Sequence, residues 1–274
     1  MNCKIRKQMK ATVMAAQLLV FMILISACSR NNEVGVIVAG STSVQPYAEV
    51  LAEEYMILNP GTEIDIQGGG SSAGITAATN GTSDIGMSSR ELKDKEKSLN
   101  SIEIAKDGLV VIVNPKNPIQ DLTLDQVRDI YSASITEWNK LGGTDSKIHV
   151  ITREEGSGTR SAFEELLMGE SEITPKAIVQ DSNGSVRLLV ADDPNSIGFI
   201  SMGIVDETVK ALSLEGVTAT RESILDGSYT LSRPFLFVTL NEPTGQTKHF
   251  IDFVLSDEGQ KLLSHEGLVP SMNK

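Results

Sequence analysis

Three short turns in this sequence carry residue types able to hold an anion: Gly40-Ser41-Thr42-Ser43, Gly70-Ser71-Ser72 and Gly156-Ser157-Gly158-Thr159. Each follows a β-rich run and precedes a helical pattern. The first N–H groups of a helix have no intrahelical partner, and the helix dipole places partial positive charge at that end. Backbone N–H groups and Ser or Thr hydroxyls there form a neutral cradle for an oxyanion. Arg153, three residues before Gly156, can add a full charge and a two-pronged donor. One such turn alone is explained by ordinary helix capping. Three in one chain, with an arginine beside one of them, point to a shared anion site.

A competing pattern overlaps the second turn. Gly70-Ser71-Ser72-Ala73-Gly74 satisfies G-x-S-x-G in the strand–turn–helix context of a hydrolase nucleophile elbow. Ser72 would then be the nucleophile, with His249 or His265 as its base. No HGGG-type oxyanion segment accompanies it, and both histidines fall in a C-terminal helical pattern, so capping is the better account of Ser72. A phosphate-binding P-loop and a G-x-G-x-x-G dinucleotide turn are both absent. The three histidines lie far apart without an HExxH pattern, and the two cysteines are spoken for below. Neither a metal nor a cofactor is expected. Trp138, the sole Trp, reads as a packing residue between helix and loop.

The elements that must position these turns alternate strand and helix. Val34–Ala39 reads as a strand, followed by an amphipathic helix from Val44 to Leu58 with Pro46 in its first turn, where a missing N–H costs nothing. Asn59-Pro60-Gly61 ends it. Thr62–Gln67 and Ser83–Met87 read as strands around a short helix that stops near Asn80-Gly81. Gly108–Asn114 is a nearly continuous apolar run, as a buried parallel strand should be. Pro115 and Pro118 break the pattern and suggest a connection between lobes. Helices are expected over Leu122–Tyr131, Thr159–Met168 and Gln246–His265, and strands over Lys147–Thr152, Ile197–Ser201, Val209–Leu214 and Arg233–Val238. This order favours an α/β, largely parallel, doubly wound architecture.

The N-terminus reads as a leader rather than as part of the fold. Lys4, Arg6, Lys7 and Lys10 precede an apolar stretch, Ala11 to Ile25, of 15 residues, whereas a bilayer crossing needs about 20. The stretch ends in Ile25-Ser26-Ala27-Cys28, which looks like the lipobox of a bacterial lipoprotein: cleavage after Ala27 and lipid on Cys28. Cys3 leaves with residues 1–27 and Cys28 is consumed, so no disulfide is expected. The remaining chain carries 247 residues and a net charge of −16, with residues 28–33 as a tether. Such a balance argues against nucleic acid as a partner. It also means that an anion must be held by local donors, because the overall field repels it.

The motifs fall in a recognisable order: Ala39-Gly40-Ser41-Thr42-Ser43, Gly68-Gly69-Gly70-Ser71-Ser72-Ala73-Gly74, Asp84-Ile85-Gly86-Met87-Ser88-Ser89-Arg90, and Arg153-Glu154-Glu155-Gly156-Ser157-Gly158-Thr159. Leu231-Ser232-Arg233-Pro234-Phe235 and Gly267-Leu268-Val269-Pro270 follow. The set resembles the phosphate-binding proteins of bacterial Pst-type ABC transporters over essentially the whole chain after the leader. The resemblance implies a two-lobed periplasmic-binding-protein fold of type II, each lobe a mostly parallel sheet flanked by helices, with two strands crossing between them. Gly108–Asn114 and Pro234–Val238 fit those crossings, giving one lobe of residues 34–114 and 234–274 and another of 115–233.

By the same resemblance, Ser41, Thr42, Ser43, Ser71 and Ser72 would face Arg153, Ser157, Gly158 and Thr159 across a cleft that closes on inorganic phosphate. The protein would be a non-enzymatic, monomeric receptor, lipid-anchored on the outer face of the cell membrane. It would deliver phosphate to permease subunits driven by a cytoplasmic ATPase. Another oxyanion, such as sulfate, molybdate or a phosphate ester, is the nearest alternative. One position departs from the family pattern. Ser89 stands where many members carry an Asp that accepts the phosphate proton and meets sulfate unpaired. Arg90 is expected beside the site, with a structural ion pair as the alternative, and Glu155 is a candidate acceptor or a solvent-facing side chain.

Overall fold

The computed structural model describes residues 35–271. The leader, Cys28 and the tether expected at residues 28–33 lie outside the described residues. No described helix is long and apolar enough to cross a membrane.

Strand β1 (Val36–Gly40) alternates buried and half-buried side chains, and helix α1 (Gln45–Leu58) packs Tyr47, Ala48, Leu51, Ala52 and Tyr55 against it. Pro46 lies in the first turn of α1. At its end Asn59 donates both its N–H and its side-chain amide to the Tyr55 carbonyl. Strand β2 (Ile64–Gly68), helix α2 (Ser71–Asn80) and strand β3 (Ile85–Ser88) complete a unit in which β1 pairs in parallel with both β2 and β3. The long strand β4 (Asn100–Val113) then leaves this unit.

A second unit follows: α3 (Leu124–Tyr131), β5 (His149–Arg153), α4 (Gly158–Phe163) continued by a π-helical turn over Glu164–Met168, β6 (Ile178–Gln180), α5 (Asn183–Asp192) and β7 (Ser196–Ser201). Strand β8 (Ser232–Thr239) returns to the first unit, where α6 (Gly245–Leu255) and α7 (Asp257–His265) end the fold. The sheet runs β2-β1-β3-β8-β4-β7-β5-β6. It is mixed: β1 with β2 and β3, and β5 with β6 and β7, are parallel, whereas β4 runs antiparallel to both β8 and β7. The result is a two-lobed α/β fold.

Two expectations need correction. The apolar run Gly108–Asn114 lies in an antiparallel strand. Its continuity comes from burial on both faces, with Leu109, Val111 and Val113 entering one apolar cluster and Val110 and Ile112 another. Burial on two sides erases alternation whatever the strand direction. Within β4, Ile104 and Ala105 pack in one apolar core and Leu109–Val113 in others. Lastly, Gln246–His265 is two helices. Ser256 interrupts them with extended backbone, and its hydroxyl accepts from Gly259 N–H to start α7.

The crossings are joined by one buried ion pair. Arg233 stands opposite Asp107 in the β8–β4 register, and its Nε and Nη2 reach Asp107 Oδ2 at 3.1 and 2.9 Å. Asp107 Oδ1 accepts from the Ser201 hydroxyl at 2.8 Å and the Met202 N–H at 3.2 Å. Burial pushes the Asp107 carboxyl above its ordinary range, with the charge of Arg233 and the Ser201 hydrogen bond opposing. Removing one partner strands a charge in the interior. Asp107→Ala is therefore expected to cost about 3–5 kcal/mol in urea unfolding. Adding Arg233→Met to that variant should recover part of the loss.

Candidate anion-binding site

The three turns meet. At the first, helix α1 is capped by Val44 without a side-chain bond; Ser41 Oγ accepts from Ser43 N–H at 3.2 Å in the turn before it, and the Thr42 and Ser43 hydroxyls are not spent on capping. Gly70 caps α2 in the same way, with positive φ and no side chain, which leaves Ser71 and Ser72 in the opening turn. Only at the third turn does the ordinary explanation hold: Ser157 caps α4 by accepting from Arg160 N–H at 3.3 Å.

Ser41, Ser43, Ser71, Ser89, Arg90, Arg153, Ser157, Gly158 and Thr159 are all buried, and Thr42 and Ser72 are half-buried. Within the first lobe the Ser41 hydroxyl donates to Ser89 Oγ at 2.9 Å, and Ser89 N–H donates to Ser71 Oγ at 3.0 Å. Between the lobes, Ser43 Oγ lies 2.6 Å from Thr159 Oγ1, Arg153 Nη2 donates to Thr42 Oγ1 at 2.9 Å, and Ser72 N–H donates to the Gly156 carbonyl at 3.1 Å. Residues more than 80 positions apart in the chain thus meet through hydroxyls, main chain and the Arg153 guanidinium.

Arg153 is 1% exposed and held from every side. Glu154 takes its Nε and Nη2 at 2.8 and 3.0 Å, and the Gln180 and Asp181 carbonyls accept as well. Arg90 shares both expected characters. Its Nη1 and Nη2 form an ion pair with Glu96 at 2.8 and 3.1 Å, and Nη2 also reaches Ser72 Oγ at 3.4 Å. Glu155 is exposed, so the carboxylate beside the guanidinium is Glu154. Arg233 Nη1 donates to the Ser89 carbonyl at 3.3 Å, which ties the crossing strands to the site. Beside Arg90 a hollow of about 730 Å³, lined by Glu91 and Lys93 from one lobe and Ser161 and Glu164 from the other, opens to solvent.

Asn183 was not among the residues singled out by sequence. It is 2% exposed, accepts from Arg153 Nη1 at 3.3 Å and donates to Ser43 Oγ at 2.6 Å. The signal was present in Asp181-Ser182-Asn183-Gly184-Ser185, a fourth turn of the same composition opening a helix. Trp138 is fully buried and its indole N–H donates to the Asn195 carbonyl at 2.9 Å, a packing role away from these turns. His249 and His265 are exposed on α6 and α7, while the Ser72 hydroxyl contacts Arg90. Among the described residues no group of three or more His, Cys, Asp or Glu side chains is placed to hold a metal.

Gly158 seals the contact between lobes. A Cβ there would lie 2.2 Å from Ser71 Oγ and 2.5 Å from Ser89 Oγ, both on the opposite lobe. Gly158→Ala is therefore expected to hold the lobes apart. Small-angle scattering should show a larger radius of gyration for the variant, with its unfolding midpoint in urea unchanged.

A family model described as a PBP superfamily domain matches residues 26–258. The phosphate-binding protein PstS of Bacillus subtilis is 32% identical over 239 residues, covering 85% of this chain and 79% of that protein. A phosphate ABC transporter substrate-binding protein from Clostridium perfringens, solved with bound phosphate, is 45% identical with a TM-score of 0.84, covering 86% of this chain and 99% of that one. An ABC-type phosphate transport receptor from Vibrio cholerae is 41% identical with a TM-score of 0.74, covering 86% and 100%. With this extent of match along the sequence and in the fold, the chain belongs to the PstS family of phosphate-binding proteins in the PBP superfamily.

Proposed function

We propose that this protein is a lipid-anchored receptor on the outer face of the cell membrane. It captures inorganic phosphate between its lobes and delivers it to the permease subunits of an ABC importer. The observation that carries the reading is the meeting of buried hydroxyls from both lobes, Ser41, Ser71 and Ser89 in one linked set and Ser43 with Thr159 across the cleft, together with the buried Arg153, which donates to Thr42. Hydroxyls and helix-start N–H groups donate to oxyanion oxygens from several directions, and Arg153, though paired with Glu154, adds charged donors at short range in a protein whose net charge of −12 repels an anion at long range. Closure of the cleft around the ligand removes it from water and strengthens each of those bonds. The lobes are taken as residues 35–107 with 233–271, and 108–232. Ser41, Thr42, Ser43, Ser71, Ser72, Ser89 and Arg90 would act from the first, and Arg153, Ser157, Gly158 and Thr159 from the second.

Ser89 gives this site a different way of reading the ligand's proton. Its hydroxyl accepts from Ser41 and lies 3.4 Å from Ser71 Oγ, so it belongs to a chain of neutral groups. Such a group can accept from a protonated phosphate or donate to an unprotonated oxygen, whereas a carboxylate can only accept. The relatives named above are phosphate-binding or phosphate-transport proteins by name, and no catalytic role is assigned to Ser72. Attachment would come through lipid on Cys28, and the chain would work as a monomer.

Calorimetric titration of the ligand-stripped fragment Ser29–Lys274 tests the reading. Saturable heat with phosphate is the expected result, with sulfate binding more weakly rather than being excluded outright, because Ser89 can also donate to an unprotonated oxygen. Equal binding of both would overturn the phosphate assignment and leave a general oxyanion receptor. Arg153→Ala should weaken phosphate binding roughly 10- to 100-fold, the cost of lost charged hydrogen bonds, and Ser157→Ala should weaken it less. Unchanged affinity in both would remove the site assignment. A fluorophosphonate probe should leave Ser72 unlabelled; covalent capture there would end the receptor-only reading. Cys28→Ala should release the full-length protein from the membrane fraction of the cells that make it.

A further inference from the structure

We infer that Asn183 is a positioning residue that bolts the two lobes together around the bound anion and sets the rate of its release; the inference rests on the anion-binding reading of the site. Asn183 opens α5, yet its side chain does nothing for that helix. The cap is Ser182, whose hydroxyl accepts from Ser185 N–H at 3.1 Å. The Asn183 amide is instead buried and committed at both ends: Oδ1 to Arg153 of its own lobe and Nδ2 to Ser43 of the other. Ser43 in turn meets Thr159 at 2.6 Å, so four side chains form a closed line from Arg153 through Asn183 and Ser43 to Thr159.

The residue type fits this place. An amide accepts from a cation with its oxygen and donates to a hydroxyl with its nitrogen, both at once. A carboxylate would accept at both ends and draw the Ser43 or Thr159 proton away from the ligand. An aliphatic side chain would leave Arg153 Nη1 without its partner. With the Asn183 N–H on one lone pair of Ser43, and a single proton shared between Ser43 and Thr159, the other hydroxyl proton of that pair is left to donate to an oxyanion. Arg153 is fixed in its own lobe by Glu154, Gln180 and Asp181 and reaches Thr42 of the first lobe directly, and Asn183 adds a second tie from it to that lobe, through Ser43. The bond to Ser43 exists only when the lobes are together. Its loss therefore acts on the closed complex rather than on the encounter.

The test measures release of radiolabelled inorganic phosphate after a chase with unlabelled phosphate, alongside association rates, for wild type, Asn183→Ala and the isosteric Asn183→Asp. Release is expected to quicken about tenfold in Asn183→Ala, the worth of one hydrogen bond near a charge, and further in Asn183→Asp. Association should stay within about twofold, since most effects of such contacts fall on the off-rate. The unliganded unfolding midpoint should not move, and if Asn183→Ala fails to fold, Asn183→Asp alone decides. Combining Asn183→Ala with Ser43→Ala should release phosphate no faster than Ser43→Ala by itself. Wild-type binding with unchanged release in the variants overturns the inference alone, as does a loss of unliganded stability with both rates altered. Wild-type protein that binds no phosphate overturns the reading of the site as well.

Discussion

The ion pair of Asp107 and Arg233 is the constraint on which this molecule turns. Two lobes with separate cores are joined by β4 and β8, and these strands must stay in register where they leave one core and enter the next. The pair sits at that point, opposite one another in the ladder. Ser201 and Met202 of the second lobe complete the carboxylate, and Arg233 reaches the Ser89 carbonyl of the first. A charge buried this deeply is tolerated only when its partner is in place. The same contact therefore sets strand register, orients the lobes and holds one edge of the anion site.

A pattern recurs around the site. Arg90 is matched by Glu96, Arg153 by Glu154 and Arg233 by Asp107. Each buried guanidinium carries its own carboxylate, so the region holds no large surplus of positive charge. On the proposed reading, an anion would be selected by the number and direction of donors rather than by net attraction. This agrees with a protein whose overall charge is strongly negative, and with a cluster in which hydroxyls outnumber cations. It also explains why closure matters: neutral donors are weak in water and gain strength once water is excluded.

The glycines serve the same geometry. Gly70 and Gly156 face one another across the cleft with positive φ, which lets Ser72 N–H reach the Gly156 carbonyl. Gly158 lets two serine hydroxyls of one lobe lie against the backbone of the other. These turns share a composition because they share a geometry, the close approach of main chain in one lobe to groups of the other.

Much of this was legible in the sequence because it is local. The strand and helix periods, the Asn59 stop and the composition of the three turns depend on neighbours a few residues away, and the helix-start chemistry follows from the backbone itself. The ordered motifs carried the family. What sequence could not supply depended on distant partners. The direction of β4 was hidden because burial on both faces removes alternation, and the break at Ser256 because one serine can lie within a helix or end it. Arg153 gained its place only when Thr42, 111 positions earlier, met it across the cleft, and Asn183 only when α5 brought its start against Ser43, 140 positions earlier in the chain. Sequence determines which groups can donate; the tertiary fold decides which of them meet, because hydrogen bonds reach about 3 Å and the chain between these residues runs through two separate cores.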